Sequence, residues 1–249
     1  MKIRECLVSN SSSSSFIVAF PNKPKSVEEV SATMHMELGK TIDCYDNKAD
    51  TSAIVKAVFE DIGKNKKTTL KQIADLISQR YYYTRHDGNM FSDSYDYGWV
   101  GKDRYYGNDE KLLAELARLF VKEDRMQQEH WDKERRIISK YRMNQPKNYS
   151  ELSQKEKDEW NKKHSEWCDT CKEYKKCRTD YFEKSNAVWK KQHFLKSKLA
   201  KIDAKKFMED NAGKTIYIFE YSDNDGEFFC TMEHGEIFKS LPHIVVSHH

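Results

Sequence analysis

The sequence predicts an α+β fold: a small, mostly antiparallel sheet built from the N- and C-terminal segments with packed helices, plus a long antiparallel helical hairpin arm between them. Three observations predict it. Apolar runs rich in β-branched and aromatic residues lie near the termini, at Phe16–Phe20, Thr215–Tyr221 and His243–Ser247, and such runs read as strands. Between them, Leu112, Leu116, Leu119, Met126, His130, Ile137 and Tyr141 keep steps of three and four, with Glu123 and Glu134 as polar breaks. A second seam runs Trp160, His164, Trp167, Cys171, Tyr174, Arg178, Tyr181, Ser185, Val188, Gln192, Leu195, Leu199, Ile202. Such a 3.5-residue repeat is the pattern of coiled-coil packing. The third observation is the junction: Asn144-Gln145-Pro146 breaks the first helix and Ser153-x-x-Glu156, a capping box, starts the second. The chain thus divides into an α+β body, residues 1–107 and 204–249, and a hairpin insertion, residues 108–203. A 35-residue arm would reach about 50 Å and is expected to project from the body.

Taken in order, Phe16-Ile17-Val18-Ala19-Phe20 has no polar alternation and is expected to be buried on both faces. The serines before it are read as an ordered loop at the end of the sheet. Pro21-Asn22-Lys23-Pro24 ends the strand. Ser26-Val27-Glu28-Glu29 opens a helix to about Leu38, residues 49–62 form a second, and Thr69 to about Arg80 a third. Residues 80–107 hold seven tyrosines, with Phe91, Trp99 and four glycines, and read as a long aromatic loop. Gly213 ends the helical region. Ser222-Asp223-Asn224-Asp225-Gly226 is then read as a turn between Thr215–Tyr221 and a returning strand Glu227–Met232. An EF-hand is excluded, because its first position would be Tyr221.

Composition narrows the function classes. The chain has 249 residues, 33% of them charged, and its longest apolar runs are about five residues, so no membrane span is expected. No signal-peptide core follows Met1-Lys2-Ile3-Arg4, and six scattered cysteines suit reduced thiols in a cytoplasm. The net charge of +3 hides an asymmetry: residues 171–206 hold 12 basic and 4 acidic residues. That excess reads either as a solvated helical face or as a surface for nucleic acid or a host protein, with Lys190, Lys191, Lys196 and Lys198 at its centre. Tyr95, Tyr97 and Trp99 of the aromatic loop are further partner-binding candidates.

The candidate site residues lie at the two ends. Ser9-Asn10-Ser11-Ser12-Ser13-Ser14-Ser15 offers backbone N–H groups and hydroxyls that suit a small anionic ligand or a tight turn. If the terminal strands share a sheet, Glu233, His234 and His248 are the titratable groups expected to face it. His164-x3-Cys168-x2-Cys171-x5-Cys177 has the residue types of a zinc site. On an unbroken helix, however, Cys177 falls opposite Cys168, and no Gly or Pro between 147 and 212 would break it. Zinc is therefore disfavoured. No P-loop, dinucleotide fingerprint, nucleophile elbow or zincin helix is present. The opening Ser-Asn-Ser-Ser-Ser-Ser-Ser-Phe resembles that of an uncharacterised family of tailed-phage and some bacterial proteins. The resemblance covers about a dozen residues, carries no activity, and implies a phage-encoded protein in the host cytoplasm. Two functions are weighed: a binding protein, as an accessory or host-takeover factor, and a nucleotide- or phosphoester-processing enzyme with C-terminal His and Glu groups.

Overall fold

The computed structural model describes residues 13–44, 47–65, 67–83, 107–141, 143–146, 148–222 and 225–247, and its fold is α+β. It divides into two compact units, Met1–Glu110 with Lys196–His249, and Lys111–Leu195.

The first unit is built on strand β1 (Ser13–Phe20), the centre of a three-stranded sheet. Its antiparallel neighbours are β4 (Thr215–Ser222) and β5 (His243–Ser247). Phe16 lies opposite Phe219 and Val245, and Ile17 opposite Ile218 and Ile244. The central position explains the continuous apolar run: both faces are covered, and every residue from Ser14 to Phe20 is buried. On one face Phe16, Val18, Phe20, Phe219 and Tyr221 pack with Val30 and Met34 of α1 (Val27–Met34). Ile54, Val58 and Ile62 of α2 (Thr51–Lys64) and Met232 of α7 (Glu227–His234) join them. On the other, Ile17 aligns with Ile244, and α3 (Leu70–Tyr83) packs against β5. Each such buried side chain stabilises the unit by about 1.5–3 kcal/mol before entropy is counted.

Several expectations are corrected. Ser13, Ser14 and Ser15 are not a loop but the first residues of β1, paired with Ser222, Tyr221 and Glu220. Backbone pairing in a central strand does not require apolar side chains. Residues 227–232 form helix α7 rather than a returning strand, because Phe228, Phe229 and Met232 fall on one helical face and alternate poorly. The helix expected from residue 49 begins at Thr51, since Asn47–Asp50 (β3) pairs with Thr41–Cys44 (β2) as a separate hairpin. The first helix stops at Met34, where His35 takes a left-handed backbone, φ 54.

In the second unit, α4 (Glu110–Lys140) runs antiparallel to α6 (Lys172–Asp210). The register is marked by His130 stacked on Tyr181, 4.2 Å between ring centroids, and by Glu115–Lys191 and Lys140–Glu173 ion pairs, each 2.7 Å. The junction carries a 3-10 turn at Tyr149–Glu151 and helix α5 (Gln154–Thr170), whose Ser153/Glu156 capping box forms as expected. The second helix is not continuous. Cys171 leaves the helical conformation, with ψ 103, and separates α5 from α6 although neither Gly nor Pro is there. Residues 196–210 of α6 belong to the first unit. There Asp203, fully buried, accepts hydrogen bonds from the backbone of Gly107 and Asn108, 3.1 Å each, at the start of α4. A carboxylate suits the N–H groups exposed at that helix end. Among the described residues, no helix is long and apolar enough to cross a membrane.

Candidate functional site

Strand alternation decides which serine faces what. Ser14 shares the face of Phe16 and Val18, the face on which α7 packs, while Ser13 and Ser15 turn to the other. The Ser14 hydroxyl donates to Glu233 Oε1 at 2.9 Å, joining residues 219 apart in the chain. Both are 3% exposed. His234 follows, its Nε2 3.7 Å from Glu233 Oε2. The carboxylate sits in the last turn of α7, where the helix end already presents carbonyl oxygens. Its hydrogen bond to Ser14 therefore counts toward keeping it folded inside. One acceptor of the Ser14 hydroxyl is therefore the Glu233 carboxyl group, which the His234 imidazole also approaches.

Beside this cluster, Ser13, Ser14, Ser15, Glu220, Tyr221, Ser222 and Asp225 line a cavity of ≈ 310 Å³. Its described lining has two carboxylates and no Lys, Arg or His. That chemistry suits a cation or a hydroxyl-bearing molecule better than the anion expected from the serines. Burial and the nearby Asp61 carboxylate push the Tyr221 phenol well above its usual range, so it is neutral here. Ser9, Asn10, Ser11, Ser12 and His248 lie outside the described residues, as do Tyr95, Tyr97 and Trp99.

The Cys/His candidates separate into two pairs. His164 Nδ1 and Cys168 Sγ are 3.6 Å apart on α5, whereas Cys177 Sγ lies 3.6 Å from His130 Nδ1 of α4. Cys171 is the residue at the helix interruption. Among the described residues no group of three His, Cys, Asp or Glu side chains is placed to hold a metal. The cysteines pack instead with Ile137, Trp167 and Tyr174. Burial raises the Cys177 thiol, which keeps it protonated.

The four lysines at the centre of the basic excess have different surroundings. Lys190 and Lys198 are exposed, but Lys191 is paired with Glu115 at 2.7 Å and Lys196 is 3% exposed. What the charge count missed is a set of open rings in the second unit. Trp131, Phe182 and Trp189 are 43%, 50% and 46% exposed, although a helical pair could have turned them inward. Their helical positions hold the signal. Phe182 and Trp189 are seven apart, hence on one side of α6. Trp131 follows His130 and Phe182 follows Tyr181, and His130 and Tyr181 are the stacked pair. One step beyond a facing pair turns two antiparallel helices toward the same side, so the three rings share a face. The Arg178 guanidinium lies 5.8 Å from the Phe182 and Tyr174 ring centres. Behind them, Glu123, 1% exposed, accepts from the Trp189 indole at 2.5 Å and from Gln192 Nε2 at 2.9 Å. The seam had marked Glu123 only as a polar break.

No protein-family model matches the chain, and no curated protein or solved structure matches it significantly.

Proposed function

We propose that the chain is a binding protein that engages a macromolecular partner through its helical unit, residues 111–195. One observation carries the reading: Trp131, Phe182 and Trp189 stand between 43% and 50% exposed on one side of the α4–α6 pair. Large rings held open on a rigid scaffold cost hydrophobic stabilisation, and Trp is enriched where partners are gripped. The excess of basic residues on 171–206 adds long-range attraction toward acidic partners. The resemblance of the opening motif to tailed-phage proteins supports a phage accessory or host-takeover role in the host cytoplasm. An enzyme acting on phosphoesters draws less support, because Ser14 is buried against a carboxylate and the described cavity lining carries no cation.

The test is site-specific photo-crosslinking. A photoreactive phenylalanine analogue replaces Phe182 in the full chain, produced in a bacterial host, with a second chain labelled at Lys157 as the comparison. Discrete crosslinked species at 182, absent at 157, are expected. Crosslinks no different at the two positions, together with turnover of a nucleotide that Ser14→Ala abolishes, would move the assignment to the enzyme.

A further inference from the structure

The shared face of α4 and α6 has a composition that selects among partners. A protein interface is built around a contiguous apolar centre from which charge is depleted. Here the rings are separate. Phe182 and Trp189 are about 10.5 Å apart along the axis, from seven residues at 1.5 Å each. Asn186 lies between them on the same side, and Trp131 stands across on α4. Cations flank the rings: Arg178 and Lys175 one and two turns before Phe182 on α6, and Arg135 one turn beyond Trp131. Asp124 is an acid on this side, and Arg135 also meets Asp132 at 3.3 Å. Spaced π-faces with guanidinium, ammonium and carboxamide groups between them match a strand of unpaired bases. Rings stack on bases, cations meet phosphates, and amides reach base edges. A duplex hides its base faces and offers such a surface only its backbone.

We infer that the α4–α6 face bearing Trp131, Phe182 and Trp189 binds single-stranded nucleic acid by stacking bases on those rings, with Arg178 and Lys175 holding the phosphates. This inference rests on the binding-protein reading and names its partner. The probe is a fluorescein-labelled twenty-nucleotide oligo(dT), titrated into the full chain at several salt concentrations, with the matching duplex as competitor. Expected are quenching of tryptophan emission on saturation, affinity that falls as salt rises, and competition by the single strand well ahead of the duplex. Trp131→Ala and Phe182→Ala should each weaken binding roughly 5- to 100-fold, the usual effect of removing one stacking ring. Both side chains are about half exposed and lie beside the seam rather than in it, so the helical pair is expected to persist without them, and circular dichroism checks this.

Phe194→Ala is the control. Phe194 is 64% exposed but five residues past Trp189, about 140° around the helix, and its loss should leave binding unchanged. Unchanged tryptophan emission at saturating oligonucleotide would overturn the inference. So would affinity retained by the Trp131→Ala/Phe182→Ala double variant, or equal competition by duplex. If no oligonucleotide binds, while a protein partner identified by crosslinking at 182 co-purifies with the unaltered chain but not with that double variant, this inference falls and the binding-protein reading stands.

Discussion

Removing the Ser14 hydroxyl tests whether the contact between the two ends of the chain is structural. Ser14→Ala leaves Glu233, 3% exposed, without a donor that sits 2.9 Å from its carboxylate. Glu233 keeps the approach of His234, so the loss is that of one hydrogen bond, about 1 kcal/mol. With a urea slope of about 2 kcal/mol/M, the midpoint falls by about 0.5 M. The probe matters, because two compact units need not unfold together. Four of the five tryptophans, at positions 131, 160, 167 and 189, lie in the second unit and would report on it instead. Hydrogen exchange in peptides spanning Ser13–Phe20 reads the sheet itself. Completing the cycle with Glu233→Met should give a double variant less destabilised than the sum of the two single changes, since both remove the same contact. A Ser14→Ala change below about 0.5 kcal/mol, or strict additivity in the cycle, would refute a structural role. Lost binding of a ligand at unchanged exchange would then favour the ligand role weighed for the serines.

The remaining predictions concern single side chains. The Tyr217 hydroxyl is buried with no partner among the described residues, so Tyr217→Phe is expected to hold or raise the urea midpoint, by up to about 1 kcal/mol of stability. Gly235 closes α7, and a Cβ there would meet the Thr231 carbonyl oxygen at 2.4 Å, a backbone atom that cannot swing aside. Gly235→Ala should cost about 1–3 kcal/mol in thermal or urea unfolding. Burial and Asp61 raise the Tyr221 phenol well above its ordinary value of 10.0. Its stabilising contribution is therefore fully present below that value and lost as pH climbs through the folded one. Unfolding followed from pH 8 to 11 should show stability falling above about pH 10, and less steeply in Tyr221→Phe.

Legibility followed the physical period of each segment. Phe16–Phe20 was readable because a central strand buried on both faces demands an unbroken apolar run, and Thr215–Tyr221 and His243–Ser247 because their β-branched and aromatic residues suit a strand. The meeting of Ser14 with Glu233 followed from that: a buried strand at one end needs neighbours from the other. Ser13–Ser15 were not readable as strand, because pairing with β4 and β5 is a backbone property to which serine contributes no pattern. The β2–β3 hairpin is polar, with Ala49 as its buried apolar residue, and so carries little alternation. α7 was mistaken for a strand because eight residues hold only two turns of helical period. The interruption at Cys171 had no Gly or Pro to announce it. Nor can a charge count tell that Lys191 is paired and Lys196 buried.

The polar groups inside the helical unit bear on why its open face is well defined. An apolar seam of Leu, Ile and Val tolerates sliding by a heptad, because every layer looks alike. Here successive layers differ: Gln192 donates to Glu123, His130 stacks on Tyr181, and Ile137 packs with Tyr174 and Cys177. A slip of one heptad toward Leu195 and Leu199 would leave the Glu123 carboxylate against an apolar layer, at a cost of several kcal/mol. Burying polar groups adds little to stability compared with leucines of the same volume, and its return is one register. That register also sets the exposed side. The Trp189 indole donates to Glu123 at 2.5 Å, which fixes the orientation of a ring whose outer edge remains open. The same buried carboxylate thus locks the α4–α6 pairing and aims one of the three rings, so the face is specified from within the seam rather than by residues on its surface.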